Sequence, residues 1–544
     1  MSPNQLINKI SLKKQDTILS ASLILSITFA FSALLGFLRN RFLLSRFFSC
    51  CADQLDAYNA AFHLPDLVFK LLVTGALSAS FIPVFSKYLY KDKKTAYKIA
   101  TTIINVLLIA LFFLLLIILI FTQPFSKLIA PGFNEQQLLL MSSFTRVLLI
   151  AQIFFLFSNF LTGIIQAHQI FLIPAISPIF YNLSIIFGIL FVAPVWGIQG
   201  VCFSVVLGAF LHLLIQIPLA KKLGFKYSFF IDTRLPGFRK ILKLMAPRAI
   251  SLGLTEIENT FTLLWSSLLV PGSFSLLNIA FQLVFFPTRI FGSTISQASL
   301  PILSKNIARN KLKTFRKTVI NTIIQSLFLV LPISTLMLVH RVAIIRLIFG
   351  ARQFPWSATL LTAKTLAFLI PTIASQAIAQ ILTRSFYAMH NTKTPLHVSL
   401  VSVVFNLLTN FYFIKFTNLG ILGLAISSSI SGFIQFLGLF YFFYLQVKNI
   451  NLVQISKRIF KIIFASVIMG ASIWFGMKFL DLFILDTSRT LNLTALFLST
   501  SFLGFLIYYF TCNLFNIKES KDLGKFFKFQ LKHKKFNQLT EIVK

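Results

Sequence analysis

The stretch Val106–Phe121, with the sequence VLLIALFFLLLIILIF, contains sixteen consecutive apolar residues. Together with its apolar flanks it exceeds the roughly 20 residues that an α-helix needs to cross a bilayer at about 1.5 Å per residue. A core helix of a soluble protein would carry polar residues on its outer face, and this stretch has none. It therefore predicts a transmembrane helix.

Similar apolar stretches recur along the whole chain of 544 residues, which is 57% hydrophobic and only 12% charged. A soluble domain usually contains about 25% charged residues, so this chain has too few to cover a water-facing surface. Hydropathy predicts fourteen membrane-spanning segments, numbered 1 to 14 in chain order: 17–38, 57–86, 99–122, 138–166, 171–193, 197–219, 244–270, 274–303, 318–339, 357–383, 395–414, 419–446, 462–480 and 491–515.

The net charge of +36 is distributed unevenly across these segments. If the N-terminus lies in the cytoplasm, 35 of the 50 Lys and Arg residues are cytoplasmic, nine lie in outer loops and six within spans. This is the positive-inside pattern, and it explains the charge without nucleic-acid binding. It predicts a multi-pass protein of the bacterial cytoplasmic (inner) membrane with both termini in the cytoplasm.

No motif indicates catalysis or a bound metal. The chain lacks a phosphate-binding Gly-rich loop and a His-Glu-x-x-His sequence. Its four Cys residues, of which Cys50 and Cys51 are adjacent, show no disulfide framework or zinc-ligand spacing. The sequence therefore predicts a protein that is not an enzyme and has no cofactor.

Three pairs of short motifs recur in the same order at nearly the same offset. Gly197-Ile198-Gln199-Gly200 recurs 223 residues later as Gly420-Ile421-Leu422-Gly423. Ala167 and Pro174 recur 221 residues later as Ala388 and Pro395. Pro83 with Ser86-Lys87 recurs 218 residues later as Pro301 with Ser304-Lys305. Segments 1–6 and 7–12 are thus predicted to be two copies of one unit. Because six is even, both copies enter the membrane from the same side, so the pseudo-two-fold axis runs along the membrane normal.

The predicted fold is an all-α integral membrane protein with about fourteen transmembrane helices, two six-helix lobes and two additional C-terminal helices. Transporters built from such repeats place the substrate between the lobes and alternate access by rocking them. The predicted parts are an N-lobe at 1–220, a cytoplasmic linker at 221–243, a C-lobe at 244–447, segments 13–14 at 448–516 and a basic cytoplasmic tail at 517–544.

Several ionisable residues lie inside or at the ends of predicted spans, where each costs about 2.5–3.5 kcal/mol and usually faces a wet cavity or a partner. Asp66 and Lys70 are four residues apart and can pair on one helix face. Guanidinium groups bind phosphate through two parallel hydrogen bonds. The candidates for such a ligand are Arg39, Arg146, Arg248 and Arg289.

Three acidic residues within predicted spans, Asp66, Glu256 and Glu258, are candidates for ion coupling. Two nearby carboxylates in a low dielectric favour the uptake of a proton or another cation. The alternative is that each contacts an Arg or Lys of a neighbouring helix, and the sequence leaves both interpretations open.

Motifs along the chain resemble those of one transporter family. They include Leu35-Gly36-Phe37-Leu38-Arg39, Asp56-Ala57, Leu64-Pro65-Asp66-Leu67, Gly75-Ala76-Leu77-Ser78, Ala130-Pro131-Gly132-Phe133, Pro247-Arg248, Phe349-Gly350, Phe386-Tyr387-Ala388 and Thr392-Lys393-Thr394-Pro395. Together they resemble the MurJ (MviN) family of lipid II flippases, within the multidrug/oligosaccharidyl-lipid/polysaccharide (MOP) exporter superfamily.

The resemblance implies a V-shaped pair of lobes, a central cationic cavity and export of lipid II, the undecaprenyl-diphosphate-linked disaccharide-pentapeptide. It also implies that segments 13 and 14 form a groove for the polyprenyl tail. Expected partners are lipid II, membrane lipids and cell-wall synthesis proteins, and the expected energy source is a coupling cation or the membrane potential. Arg39 and Asp56 carry over directly and Lys364 keeps a basic position. The predicted substrate-binding set is Arg39, Asp56, Lys70, Arg146, Arg248, Arg289 and Lys364.

Four charged positions of the family are changed in this chain. Ala33, Phe69 and Gln282 stand where the family has Arg, and Thr74 stands where it has an acid. These changes leave room for another exporter of the same fold, such as a lipid-linked polysaccharide flippase or a cation-coupled drug antiporter. They also leave room for a scaffold in cell-wall assembly that transports nothing.

Overall fold

The structure is a computed structural model of the chain. It describes residues 18–74, 81–350, 354–448, 450–487 and 489–521, with the backbone alone for 18–27, 74, 246–248 and 250–252. The predicted motif Gly75-Ala76-Leu77-Ser78 and most of the predicted tail 517–544 lie outside the described residues.

All regular structure in these ranges is helical, as expected for an apolar chain whose backbone groups have no water to bind. Three π-helical turns, π1 Lys70–Thr74, π2 Gly188–Val192 and π3 Thr288–Ser293, interrupt the α-helices. The α-helices are α1 Ile18–Ala61, α2 His63–Phe69, α3 Ile82–Lys91, α4 Lys93–Ile120, α5 Thr122–Ile129, α6 Glu135–Ala167, α7 Leu172–Phe187, α8 Ala193–Leu214, α9 Ile217–Lys222, α10 Pro236–Ser267, α11 Ser273–Pro287, α12 Thr294–Ala308, α13 Leu312–Val339, α14 Arg341–Phe349, α15 Trp356–Leu369, α16 Pro371–Ala388, α17 Lys393–Phe416, α18 Ile421–Val447, α19 Leu452–Phe483 and α20 Thr490–Leu514.

Ten helical stretches of the described chain are long and apolar enough to cross a membrane. One of them, Leu172–Lys222, covers two predicted segments, 171–193 and 197–219. The multi-pass helical fold is therefore confirmed. The remaining predicted segments, 1, 2 and 7, each include residues or side chains outside the description, so the number of fourteen spans stays a prediction.

The chain divides into two compact units, residues 1–275 with 348–355 and residues 276–347 with 356–544. In the first unit, α6 packs along α8, and α1 packs along α7. The rings of Phe81, Phe85 and Phe160 are fully buried in its core, where Phe81 stacks on Phe85 and meets Phe160 edge-on.

The predicted linker 221–243 packs against α4 of the first unit. Asn105, which is fully buried, donates hydrogen bonds of 3.0 Å to the carbonyls of Ser228 and Phe230. It accepts one of 2.7 Å from the Tyr227 hydroxyl. Partial burial raises the pKa of the Tyr227 phenol above its ordinary value, which keeps the phenol protonated as the donor. One polar side chain thus holds three residues of this segment in place.

In the second unit, α16 packs against α12, α13 and α18 around a core that includes Phe315, Phe386 and Phe443. Helices α19 and α20 pack on each other and on α13. The Tyr508 hydroxyl of α20 donates a 2.8 Å hydrogen bond to the carbonyl of Phe328 on α13. The two helices that follow the predicted repeat are therefore attached to its second copy.

The predicted repeat is present in the backbone as well as in the sequence. Gly197 has φ 57°, and Gly420, 223 positions later, has φ 53°. A Cβ at either glycine would meet no atom within 4 Å, so the dihedral rather than space requires glycine. Gln169 and His390, 221 positions apart, have φ of 63° and 58°. These positive-φ positions keep the offsets of the sequence motifs.

The π-helical turns extend this correspondence to functional candidates. Turn π1 begins at Lys70 and π3 begins 218 positions later at Thr288, the offset that separates Pro83 from Pro301. Lys70 and Arg289 both lie on these turns, 219 positions apart. Single π-turns inside α-helices occur frequently at functional sites. The structure therefore places two basic candidates on corresponding irregular turns.

The starts of α4 and α13 also correspond, but their caps differ. The N-cap of α4 is Asp92, whose carboxylate accepts a 2.9 Å hydrogen bond from the Lys94 amide and another from the Thr95 hydroxyl. The Thr95 hydroxyl and nearby amides lower the pKa of Asp92. The N-cap of α13, 219 positions later, is Lys311, which makes no side-chain cap.

The sulfur atoms of the adjacent residues Cys50 and Cys51 lie side by side. Cys202 and Cys512 are free and buried. The backbone of α1 leaves the helical conformation at Cys51, with φ −151° and ψ 47°, and this break separates the two parts of α1. Sequence spacing gives no signal for such a pair, because adjacent Cys residues are not a usual disulfide framework.

Candidate functional site

The polar residues of the first unit are concentrated where α2, π1 and α10 lie side by side. His63 of α2 is 2.7 Å from the Thr260 hydroxyl of α10, measured from its Nε2 atom. Seven residues further along, Lys70 meets Glu256, one turn earlier on α10. The two polar pairs therefore join neighbouring helices that run in opposite directions.

Lys70 and Glu256 form an ion pair in which both carboxylate oxygens take part. The Lys70 Nζ atom lies 3.1 Å from Oε1 and 3.3 Å from Oε2. The Lys70 side chain is 39% exposed and that of Glu256 only 7%. The Asn259 amide is 3.5 Å from Oε2 of the same carboxylate. The acid is thus enclosed by protein, and the ammonium keeps an open side.

The predicted pairing of Asp66 with Lys70 is not observed. Asp66 accepts a 3.3 Å hydrogen bond from the Gln152 amide of α6, and the ion pair of Lys70 is made with Glu256. Lys70 keeps the helical conformation, with φ −63° and ψ −41°, and its amide still donates to the Asp66 carbonyl. The two residues therefore keep the α-helical relation that the spacing predicts, but the ammonium pairs with an acid of another helix.

Arg39 is bound to a neighbouring helix. Its Nη1 atom donates a 3.3 Å hydrogen bond to the Asn182 side-chain oxygen on α7, and its Nε atom donates one of 3.2 Å to Asn40. Asn182 in turn donates to the Ser32 carbonyl and hydroxyl on α1. Arg39 is half-buried, and some of its five donors remain available for a ligand.

Asp56 holds the start of α11. Its carboxylate accepts hydrogen bonds of 2.7 Å from the Gly272 amide, 2.8 Å from the Ser275 amide and 2.6 Å from the Ser275 hydroxyl. The side chain is only 2% exposed. A carboxylate at a helix N-terminus satisfies free amides and complements the helix dipole. In this conformation Asp56 therefore fastens two chain segments together and has no free oxygen face for a substrate.

The other candidates of the first unit are not drawn into this cluster. Arg146 on α6 is exposed, and the carboxylate of Glu258 on α10 is half-buried; neither side chain has a hydrogen-bond or ion-pair partner among the described residues. Arg248 lies in α10, but its side chain is outside the described part of the chain.

Two basic candidates belong to the second unit and are exposed. Arg289 lies on π3 and Lys364 on α15. Neither side chain has a polar partner among the residues that the structure describes. Both can therefore contribute a free positive charge to a ligand.

The changed family positions are filled by packing or by neutral polar contacts. Phe69 lies at the end of α2 with its ring edge against Phe155. Gln282 of α11 donates a 3.4 Å hydrogen bond to Asn278, and Ala33 is half-buried in α1. Thr74 ends π1, but its side chain is outside the description.

Sequence reasoning missed the neutral partners of the charged groups. Gln152, Asn182 and Ser275 fix Asp66, Arg39 and Asp56 respectively. A usable signal was present, because an uncharged polar residue inside an apolar span usually bonds to another helix. The described residues contain no cluster of His, Cys, Asp and Glu suited to a metal ion. Around Lys70 the arrangement combines one ammonium with two carboxylates, whereas Arg146, Arg289 and Lys364 carry exposed positive charges.

Comparison with known proteins agrees with this arrangement. The family model described as lipid II flippase MurJ matches residues 51–491. A probable lipid II flippase MurJ from Buchnera aphidicola subsp. Acyrthosiphon pisum is 30% identical over 80% of this chain and 86% of its own length. The corresponding protein from Thermotoga maritima is 25% identical over 91% of this chain and 96% of its own length.

Solved structures show the same fold. A lipid II flippase MurJ in an inward closed conformation matches with a TM-score of 0.75 at 24% identity, covering 91% of this chain and 98% of that chain. An inward-facing multidrug resistance MATE family transporter of the MOP superfamily matches with a TM-score of 0.62 at 14% identity, covering 80% and 99%. The extent of the family match and the Buchnera relative together establish that this chain belongs to the lipid II flippase MurJ family.

Proposed function

We propose that this protein moves lipid II from the inner to the outer leaflet of the bacterial cytoplasmic membrane by alternating access of two lobes. Membership of the MurJ family supports this substrate, since its curated relatives are named probable lipid II flippases. The family is one of transporters, and the protein itself has no catalytic activity in this proposal.

The observation that carries the proposal is the pair of basic residues on corresponding π-turns. Arg289 lies inside the long apolar helical stretch Ser273–Ala308, and Lys70 lies 219 positions earlier on π1. A charged side chain inside a span is costly, and those that are present usually serve a function. Lipid II carries a diphosphate between sugar and lipid, and ammonium and guanidinium groups bind phosphate oxygens through charge-assisted hydrogen bonds. Each copy of the repeat therefore contributes one cation whose chemistry suits a phosphate group.

The predicted domains and orientation complete the proposal. Residues 1–220 and 244–447 form the two lobes, 221–243 the cytoplasmic linker and 517–544 a cytoplasmic tail, so that both termini are cytoplasmic. Helices α19 and α20 provide the groove for the polyprenyl tail, and their exposed Phe475, Phe479 and Phe502 side chains suit an isoprenoid chain.

The proposed energy source and partners are those that the family resemblance implies. No cofactor is required, and either a coupling cation or the membrane potential drives the transport cycle. Asp66, Glu256 and Glu258 are the acids that such coupling would use. Membrane lipids surround the protein and cell-wall synthesis proteins supply and consume its substrate, whereas nucleic acid has no role.

The test is complementation of a bacterium depleted of its own lipid II flippase, combined with an assay of lipid II on the outer leaflet. Growth together with restored exposure of lipid II is the expected result. A chain that is produced and inserted but restores neither would redirect the assignment to another lipid-linked or cationic substrate.

Growth without any dependence on Lys70, Arg289 and Arg39 would instead favour a scaffold that transports nothing. A second readout, export of cationic dyes, separates the drug-antiporter alternative. Wild-type protein that leaves dye accumulation unchanged agrees with the proposed substrate.

A further inference from the structure

The proposed function requires the Lys70 ammonium to bind substrate, but in this structure the ammonium is paired with the Glu256 carboxylate. The ammonium nitrogen lies 3.1 Å from one oxygen of the carboxylate and 3.3 Å from the other. A diphosphate approaching the open side of Lys70 in this conformation therefore meets an ammonium whose charge is already paired with a carboxylate.

The two partners differ in how firmly they are held. Glu256 is 7% exposed and receives a further contact from Asn259 on the same helix. Lys70 is 39% exposed, and its charge sits on a flexible four-carbon stem. Lys70 can therefore leave the carboxylate without a change in the path of either helix, whereas Glu256 stays where it is.

The surrounding charge also opposes an anion. Asp66 interacts electrostatically with both Lys70 and Glu256, and its only hydrogen bond among the described residues comes from Gln152. Two carboxylates therefore accompany a single ammonium. A diphosphate gains from Lys70 only if the ammonium turns away from Glu256 towards the incoming phosphate.

We propose that Glu256 is a displaceable counter-ion, which neutralises Lys70 while no substrate is bound and loses it to the lipid diphosphate when substrate enters. This inference rests on the proposed function and specifies how the Lys70 charge is neutralised while no substrate is bound. Since the ion pair joins π1 to α10, the exchange also removes a bond between those two elements. Substrate entry is thereby linked to the freedom of α10 to move.

The experiment measures binding of undecaprenyl diphosphate to the purified full chain in nanodiscs of zwitterionic lipid. Glu256→Gln leaves Lys70 without its counter-ion, so the affinity for the probe should rise by about tenfold. Glu135→Gln is the matched control, because this carboxylate lies exposed in the first turn of α6 and has no assigned role in binding or coupling. Its affinity should equal that of the wild type.

A double-mutant cycle separates the pair from general effects. Lys70→Gln should weaken binding by about tenfold, and adding Glu256→Gln to it should produce no further change. If Glu256→Gln is not recovered as folded protein, Glu256→Asp provides a second test. The side chain is shorter by one methylene, which withdraws the carboxylate from Lys70, so the affinity should again rise but by less than in Glu256→Gln.

Affinity that is unchanged or lower in a folded Glu256 variant would overturn the counter-ion role. Failure of the proposed function would give a different result. The wild-type protein itself would then bind neither undecaprenyl diphosphate nor lipid II, whatever residue stands at position 256.

Discussion

The two π-turns use the same backbone device with opposite electrostatic surroundings. Lys70 on π1 is paired with Glu256, whereas Arg289 on π3 is exposed and has no polar partner among the described residues. The position that corresponds to Glu256 in the other copy, 219 residues earlier, is Phe37. Both copies thus contain the π-turn with its basic residue, whereas a carboxylate partner is present for Lys70 only. The comparison teaches that two copies of a repeat can differ in function when a shared residue has a different partner in each.

The strongest test of this comparison removes both cations. The double variant Lys70→Gln and Arg289→Gln should lower lipid II exposure by about 100-fold or more, because each lost charge-assisted contact contributes about 1.5–3 kcal/mol. The measurement is outer-leaflet lipid II in the depleted host. Replacing Lys415, an exposed basic residue at the end of α17, by Gln is the control, and equal loss in that control would remove the special status of the π-turns.

The next test concerns another pair of corresponding positions, Asp56 and Ser275, which lie 219 residues apart and bind each other. Asp56→Ala leaves two amides and a hydroxyl without their acceptor, so unfolding should become easier by about 3 kcal/mol and transport should stop. Thermal unfolding in detergent measures this. Asp56→Asn keeps one acceptor oxygen and should lose less; equal stability of the Ala variant and the wild type would contradict the fastening role.

A smaller effect distinguishes the two cations individually. Arg289→Gln should reduce transport by about 30-fold, and Lys70→Gln only by about tenfold, because Lys70 must first leave Glu256. Initial rates of lipid II exposure at matched expression provide the measurement. A larger loss for Lys70→Gln would reverse the assignment of which copy offers the free charge.

The smallest expected effect lies at the helix starts. Lys311→Asp gives α13 the cap that Asp92 gives α4, and should stabilise the protein by about 0.5–1 kcal/mol. Asp92→Ala should lower the melting temperature. Because the folded-state pKa of Asp92 is lowered, its contribution is present above the ordinary carboxyl pKa and is lost as pH falls through the lowered value. A melting temperature of Asp92→Ala equal to that of the wild type at pH 7 would exclude a role for the cap.

Some of this could be predicted from residues alone. The offsets of 218, 221 and 223 were visible in short motifs, and they recur in π1 and π3, in Gln169 and His390, and in Gly197 and Gly420. Glycine and proline are typical of particular backbone conformations, so their spacing in the sequence indicates where turns and helix ends lie. For this reason the repeat was the most accessible part of the fold.

The pairing of charges could not be predicted in the same way. The spacing of Asp66 and Lys70 favoured a local pair, but Lys70 pairs with Glu256, 186 positions away in the chain. Asp56 was assigned to the substrate, yet the structure shows its oxygens bonded to Gly272 and Ser275. Contacts between residues about 200 positions apart depend on packing that periodicity does not encode.

The glycines at 197 and 420 have an evolutionary consequence. The two copies have diverged until only scattered residues match, yet both retain a backbone dihedral that side chains with a Cβ rarely adopt. Mutation at these sites is therefore constrained by conformation. Their ψ values of −149° and −128° lie far from the left-handed helical region that Asn tolerates, so variation at both sites in related genomes should be confined to Gly.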